Sequence, residues 1–146
     1  MGPKKEFEDR RGMRYHAKER ISARGKSEWF FEGEDVSLRA TNMLLVRITI
    51  AKVLDNQRLK GILRQIPIKQ GEPGWNCVIW VKEALEALRA DEKALGTGDI
   101  GWQKVRDTAM GYIQQKKDEH RFDGRANFDL DRPATYSLLE MEETIP

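Results

Sequence analysis

Cysteine, histidine and long apolar runs are all scarce in this sequence. The one cysteine, Cys77, cannot form an internal disulfide and is compatible with a reducing compartment, so we expect a cytoplasmic protein. No stretch of about 18 apolar residues is present, which excludes a membrane-spanning helix. The charged amino-terminal segment also lacks the apolar core of a signal peptide. With two histidines and no closely spaced Cys/His ligand set, we expect neither a metal nor a cofactor.

The charge balance argues against nucleic acid as a partner. Charged residues make up 34% of the 146 residues and hydrophobic residues 39%, which is typical of a globular chain. Residues 1–30 hold nine Lys/Arg against five Asp/Glu, whereas residues 118–146 hold eight Asp/Glu against three Lys/Arg. Acidic residues interrupt the basic segment, and no aromatic stacking platform accompanies it. We predict a single domain over residues 1–146 with a loose start at residues 1–12.

Strand patterns come first along the chain. Residues 13–21 and 27–38 flank a turn at residues 22–26 that contains Gly25, and they predict a β-hairpin. Residues 42–53 are rich in β-branched side chains and predict a central strand, largely buried on one face.

Three helices are predicted after these strands. Asp55 is the expected N-cap of the first, which ends before Pro67, and Asn76 is the expected N-cap of the second. The third runs over about residues 102–119, and residues 121–146 are expected to form an extended arm with little regular structure. The sequence therefore predicts an α+β fold: a small antiparallel sheet, made of the hairpin plus the central strand, packed by about three helices.

Cys77 is the residue whose position has a chemical meaning. At a helix N-terminus, free N–H groups and a partial positive charge favour the nucleophilic thiolate over the thiol. The N–H of Cys77 is placed to donate to a developing oxyanion, and the glycine-rich loop ending near Gly74 lets a substrate backbone approach. The alternative is structural, because cysteine is often buried and Cys77 lies on the apolar stripe of its helix.

A cysteine nucleophile needs a base, and the chain offers His16 and His120. His16 lies on the first hairpin strand, and a histidine on a strand packed against a cysteine helix is the arrangement of thiol hydrolases. An ordinary strand histidine is the alternative. His120 lies where the last helix ends, and a cation there complements the helix dipole. Asp99, Asp107 and Glu83 are candidates for orienting a histidine, as is any surface carboxylate.

Four residues next to the cysteine are candidate binding residues. Tryptophans can line a ligand pocket or belong to the core, and both interpretations apply here. The four are Asn76, Trp75, Trp80 and Gly74.

Three segments resemble a family of small uncharacterised fungal proteins. They are RYHAKE (residues 14–19), WNCVIWV (residues 75–81) and EHRF (residues 119–122), and the resemblance covers most of residues 12–146. No activity is known to us for this family, so the resemblance implies none. Fuller members carry an extra N-terminal strand with a Tyr-His-Trp-like segment, which would supply the expected catalytic histidine. Either His16 substitutes for it, or the chain is a shortened form without hydrolase chemistry.

The Asn-Cys-x-x-Trp element at Asn76, Cys77 and Trp80 also resembles the start of the cysteine helix in permuted papain-like proteins. These include the lecithin-retinol acyltransferase-like and deubiquitinase-like groups. The resemblance implies a permuted papain-like fold and a cysteine nucleophile that acts on an acyl, ester or amide bond. Cys77 would attack a small-molecule or peptide substrate, and His16 would take the proton.

Three functional hypotheses stay open, so the sequence does not decide whether the protein is an enzyme. The first is a thiol hydrolase or acyltransferase. The second is a non-catalytic domain that binds a small molecule or a protein partner. In that case the missing edge strand favours a homodimer by strand addition. The third is an enzyme of fungal secondary metabolism without a nucleophile, implied by the fungal resemblance.

Overall fold

The computed structural model describes residues 11–37, 45–98, 100–125, 128 and 131–146. Residues 1–10 of the expected loose start lie outside the described residues, and so do residues 38–44, which include the ends of two predicted strands. Within the described residues the protein is α+β with small sheets, as expected. In chain order the elements are β1 (Arg11–Ile21), β2 (Ser27–Ser37), β3 (Val46–Thr49), β4 (Ala51–Val53), α1 (Asn56–Gln65), α2 (Cys77–Asp91), β5 (Leu95–Gly98), α3 (Trp102–Asp118), β6 (Ala134–Ser137) and β7 (Glu142–Ile145).

The described residues group into two compact units. The hairpin unit, residues 11–37 and 53–95, contains β1, β2, α1 and α2. The sheet unit, residues 45–52 and 96–146, contains β3, α3, β6 and β7. The short strands β4 and β5 lie where the chain passes from one unit into the other. The single domain expected from the chain length stays a prediction.

The predicted hairpin is present. β1 and β2 pair antiparallel over eleven residues each. At the turn the N–H of Ser22 donates to the carbonyl of Lys26 at 2.7 Å, and Gly25 has a φ of 77°. Glycine reaches this left-handed conformation without steric cost, so the turn depends on it.

One face of the hairpin carries the aromatic packing. Ala17 pairs with Phe31 and Tyr15 with Gly33 in the register, and alternation puts all four on one face. The rings of Tyr15 and Phe31 stack with centroids 6.1 Å apart, and Phe31 meets Trp80 of α2 at 6.0 Å. A Cβ at Gly33 would lie 2.9 Å from the Tyr15 ring, so the absence of a side chain there lets the ring lie across β2.

Both helices of the hairpin unit begin where their capping residues predict. Asp55 Oδ1 accepts the N–H of Arg58 at 3.0 Å, and α1 ends at Gln65, just before Pro67. α2 follows its N-cap Asn76 and ends where Glu92 takes a left-handed conformation, with a φ of 59°. Its buried residues are Trp80, Ala84, Leu85 and Leu88.

The sheet unit contains a mixed sheet that the sequence did not predict. β3 pairs in parallel with β6, and β6 pairs antiparallel with β7. The predicted central strand, residues 42–53, is divided at Ile50 into β3 and β4, and the hairpin forms a separate two-stranded sheet. The reason is the partner of β3, a strand almost ninety positions further along the chain, which local patterning does not reveal.

Residues 121–146, expected to form an arm with little regular structure, contain β6 and β7. Ala134 and Leu138 are buried, so this segment supplies part of the core of the sheet unit. α3 packs on the same sheet, where the rings of Tyr112 and Tyr136 lie 5.7 Å apart. No helix among the described residues is long and apolar enough to cross a membrane.

Candidate functional site

Cys77 is the first residue of α2, and its side chain is exposed. The structural alternative of a cysteine buried on the apolar stripe therefore does not apply. Asn76 caps the helix, and its Oδ1 accepts the N–H groups of Val78 at 3.0 Å and Ile79 at 3.2 Å. The cap thus occupies two of the N–H groups that a free helix N-terminus would offer to an anion.

The two tryptophans beside the cysteine belong to the core. Trp75 and Trp80 are only 7% and 3% exposed. Trp75 packs edge-to-face on Trp29, with centroids 5.5 Å apart, and within the described residues neither buried indole N–H of Trp75 and Trp80 has an acceptor. Gly74 has a φ of 81°, and a Cβ there would meet nothing within 4 Å. The backbone conformation at Gly74 requires glycine, whereas close packing does not.

The strand alternation separates His16 from the cysteine helix. Tyr15 and Ala17, its neighbours in the chain, belong to the face on which Phe31 meets α2. His16 therefore points to the opposite face. There its Nε2 lies 2.9 Å from Oε1 of Glu32, its partner across the hairpin. The structure thus does not bring His16 to Cys77.

Glu32 and Glu34 together with His16 form the one group of potential metal ligands found among the described residues. One donor atom from each side chain lies within 4.8 Å of the others, and all three residues are half-buried. The hydrogen bond from His16 is the main cause that lowers the pKa of Glu32, against the opposing effect of desolvation. Sequence spacing concealed this group, because His16 lies sixteen positions before Glu32 and eighteen before Glu34.

The remaining candidates for a base or an orienting group lie elsewhere. His120 follows α3 with a φ of 61°, and its Nδ1 lies 2.8 Å from Asp123, whose pKa this hydrogen bond lowers. Asp107 accepts the side-chain amide of Gln103 at 2.8 Å. Glu83 is half-buried on α2. Asp99 lies outside the described residues.

The sheet unit has a cleft of about 270 Å³ along α3, which we call the α3 cleft. Its lining includes two tyrosine rings, a leucine and a methionine, together with a lysine, an aspartate, a threonine and a glutamine. Gly111 leaves open space in this lining, since a Cβ there would meet nothing within 4 Å. The lining residues are Lys104, Asp107, Thr108, Gly111, Tyr112, Gln115, Tyr136, Leu138 and Met141.

An ion network around the buried Lys116 lies next to Tyr112, which lines the α3 cleft. The Tyr112 hydroxyl donates to Glu143 Oε2 at 2.6 Å. Burial is the main cause that raises the pKa of Tyr112, and the hydrogen bond to Glu143 is the second. Lys116 is 0% exposed, and its Nζ lies 2.7 Å from Glu143 and 2.9 Å from Glu119. Desolvation lowers the pKa of Lys116, but the two carboxylates outweigh it and the net pKa is raised. The network ties α3 to β7.

This network was not predicted from the sequence, although the sequence contains a signal for the buried lysine. Lys116 follows Tyr112 by one helical turn and so continues the apolar stripe of α3. A lysine on an apolar stripe indicates a buried cation that needs carboxylate partners. Glu119 is such a partner one turn further on, whereas Glu143 comes from β7 and has no local signal.

A model of a family of unknown function, DUF6914, matches residues 1–145. No curated protein and no solved structure matches the chain at a significant level.

Proposed function

The chain belongs to the DUF6914 family of unknown function, and we propose that it is a non-catalytic domain that binds a small molecule in the α3 cleft. The observation that carries the proposal is a lining that combines aromatic and apolar side chains with a few polar ones around one open volume of about 270 Å³. Ligand sites are commonly concave, mostly apolar and equipped with a few polar groups that orient the ligand.

The size and lining of the cleft define the class of ligand. Its volume lies just below the roughly 300–1,000 Å³ of typical ligand pockets, so the ligand is smaller than a drug. The hydroxyl of Tyr112 is already bonded to Glu143, so its ring is what it offers to a ligand. Tyr136 adds a second ring at 5.7 Å. We expect a flat apolar group against these rings and one polar end near Lys104 and Asp107.

The hydrolase hypothesis has less support. It requires a proton acceptor beside the thiol of Cys77, and strand alternation directs His16 to the other face of the hairpin. The resemblance to permuted papain-like proteins rests on the short Asn-Cys-x-x-Trp element at Asn76, Cys77 and Trp80. Nothing in the described residues specifically favours an enzyme of fungal secondary metabolism. The binding hypothesis needs neither a nucleophile nor a base.

The proposal is tested by a substitution on α3, Gly111→Leu, whose side chain fills the cleft. We would screen ring-containing fragments by protein-observed NMR against the wild type, Gly111→Leu and the control Gly61→Leu. Gly61 is a second glycine inside a helix whose Cβ would meet nothing within 4 Å, and it does not line the cleft. Both variants replace a helical glycine by a good helix former, so both should fold.

We expect fragments that shift resonances of residues 104–115 and 136–141 in the wild type and in Gly61→Leu, and no such shifts in Gly111→Leu. Fragments that bind all three proteins alike, or none that bind this region, would contradict the proposal.

A homodimer is a second proposal. In the described part of the chain β1 and β2 pair only with each other, so the outer edge of β1 has no strand partner, whereas on β2 the backbone of Trp29 bonds to the side chain of Gln70. Such edges accept a strand from a second copy. Sedimentation equilibrium at micromolar concentration checks this, and a purely monomeric protein would count against it. The exposed single thiol is compatible with the cytoplasmic location that we also propose.

A further inference from the structure

We propose that His16, Glu32 and Glu34 form a binding site for a divalent transition-metal cation, with Zn²⁺ as the best fit. The site lies on the face of the hairpin that does not pack on α2. One donor atom from each residue lies within 4.8 Å of the other two, and His16 Nε2 is 2.9 Å from Glu32 Oε1. This inference is independent of the α3 cleft, which belongs to the other unit.

The register of the hairpin places the three side chains before any metal arrives. His16 and Glu32 are directly paired across the strands, and Glu34 follows Glu32 by two residues on the same face. Donor atoms of a tetrahedral site with bonds of about 2.0–2.2 Å lie roughly 3.4 Å apart. Side-chain rotation therefore has to adjust the distances between the donor atoms when the metal binds.

The donor set selects the metal. One imidazole nitrogen with two carboxylates is a set that Zn²⁺ accepts, and it leaves a fourth position for water. Ca²⁺ requires six to eight oxygen ligands, and Mg²⁺ prefers carboxylates and waters in an octahedron, so an imidazole suits neither. The side chains of His16 and Glu32 are 30% and 26% exposed, so a cation can reach them from solvent.

The rest of this face explains why the His16 pair is distinct. On this face the carboxylates of Glu34 and Glu28 are paired with arginines of β1, in the pairs Arg14–Glu34 and Arg20–Glu28. Arginine keeps its proton at every accessible pH and cannot bind a metal, whereas a neutral imidazole is a metal ligand. Of the cross-strand pairs on this face, the His16–Glu32 pair is therefore the one in which both side chains can ligate a metal.

Arg14 sets the expected strength of the site. Its guanidinium bonds to Glu34 Oε1, so the metal must share Glu34 with this cation. Lys18 is a second cation on the same face. Both positive charges oppose a divalent cation, so removal of Arg14 should strengthen binding and removal of a ligand should weaken it.

The test is calorimetric titration of the full chain with ZnCl₂ in a Cys77→Ser background, which removes the exposed thiol as a competing ligand. We expect one equivalent of Zn²⁺ to bind. We expect His16→Gln and Glu34→Gln each to weaken binding by about tenfold or more. Arg14→Gln should tighten it. The controls His120→Gln, at the only other histidine, and Glu28→Gln, on the same face, should leave affinity unchanged.

Thermal unfolding without metal shows whether each variant keeps its fold. Loss of the fold can only weaken Zn²⁺ binding, so it cannot produce the gain of affinity that we expect for Arg14→Gln. The proposal is overturned if the His16→Gln variant binds Zn²⁺ as tightly as its parent. It is equally overturned if His120→Gln abolishes binding or if Arg14→Gln weakens it.

Discussion

Arg58 of α1 and Asp91 at the end of α2 form an ion pair in which the guanidinium Nη2 lies 2.5 Å from Asp91 Oδ1. The other oxygen, Oδ2, accepts the N–H groups of Lys93 at 3.1 Å and Ala94 at 2.8 Å. Asp91 therefore links the two helices of the hairpin unit and also fixes the turn that follows α2. The hydrogen bond from Arg58, followed by that from Ala94, holds the pKa of Asp91 well below its usual range.

The first prediction concerns acid stability. Because folding lowers the pKa of Asp91, its contribution is fully present above the unfolded pKa, near 4, and is lost as the pH falls towards the folded value. Asp91→Asn should have a lower free energy of unfolding than the wild type at pH 7. Between pH 5 and pH 2 its free energy of unfolding should fall less than that of the wild type. Urea unfolding across this range measures it.

The matched control for Asp91 is Glu86→Gln, an exposed carboxylate on the same helix. This variant should keep the acid sensitivity of the wild type. An Asp91→Asn protein that loses stability with acid as steeply as the wild type would show that Arg58 does not hold the carboxylate in its charged form.

The second prediction concerns the cap next to the thiol. Asn76→Ala removes the acceptor of two N–H groups at the start of α2, so we expect a loss of about 1 kcal/mol in the free energy of unfolding. The control is Asn56→Ala, the first residue of α1, where Asp55 supplies the cap instead. Urea denaturation of both variants measures the difference. Equal losses at the two positions would contradict the capping role of Asn76.

The third prediction separates the hydrolase hypothesis from the binding hypothesis. If His16 is directed away from α2, then His16→Ala leaves the rate of Cys77 alkylation by iodoacetamide unchanged between pH 6 and pH 8. The urea-unfolded protein gives the reference rate of the same thiol without structure. A marked fall of the rate in His16→Ala would mean that the imidazole assists the thiol, and it would restore the hydrolase hypothesis.

Local patterns were sufficient to predict the hairpin unit. The turn, both caps and the stop before Pro67 are signals within a few residues of each other, and each element appears where they place it. The separation of His16 from the cysteine helix was also present in the sequence. In the predicted strand 13–21, Tyr15 and Ala17 share one face by alternation, so His16 between them must point to the other.

The pairing of His16 with Glu32 could also be predicted from the sequence. A turn at residues 22–26 has its centre at Arg24, and His16 and Glu32 lie at equal distances from that centre. We expected no metal because no Cys and His residues lie close together along the chain. Pairing across a predicted hairpin brings distant positions together, so the register has to be applied before ligand groups are sought.

The sheet unit could not be predicted in the same way. The parallel pairing of β3 with β6 joins segments that are far apart in the chain, and short apolar runs do not specify their partner. The α3 cleft depends on this pairing, because Tyr136 and Leu138 come from β6 and the turn after it. A site formed by long-range pairing has no local sequence signature.

The fourth prediction concerns the buried lysine beneath that cleft. Lys116→Ala leaves Glu143 without its cation and without a well-packed replacement, and breaking a fully buried ion pair costs about 3–5 kcal/mol. Glu143 and Glu119 are 30% and 39% exposed, so water replaces part of the lost interaction and we expect about 2 kcal/mol. Lys117→Ala, at the exposed neighbouring position, should change the free energy of unfolding little.

A double variant tests whether the cost of losing Lys116 comes from the stranded carboxylate. Lys116→Met with Glu143→Gln removes both charges and keeps similar volume, so it should be more stable than Lys116→Met alone. Urea unfolding of the four proteins in this cycle gives the coupling energy between the two positions. If the two losses simply add, Lys116 stabilises α3 by packing alone. The wall of the α3 cleft would then depend on the shape of that side chain, whereas a favourable coupling would show that its charge holds β7 against the helix.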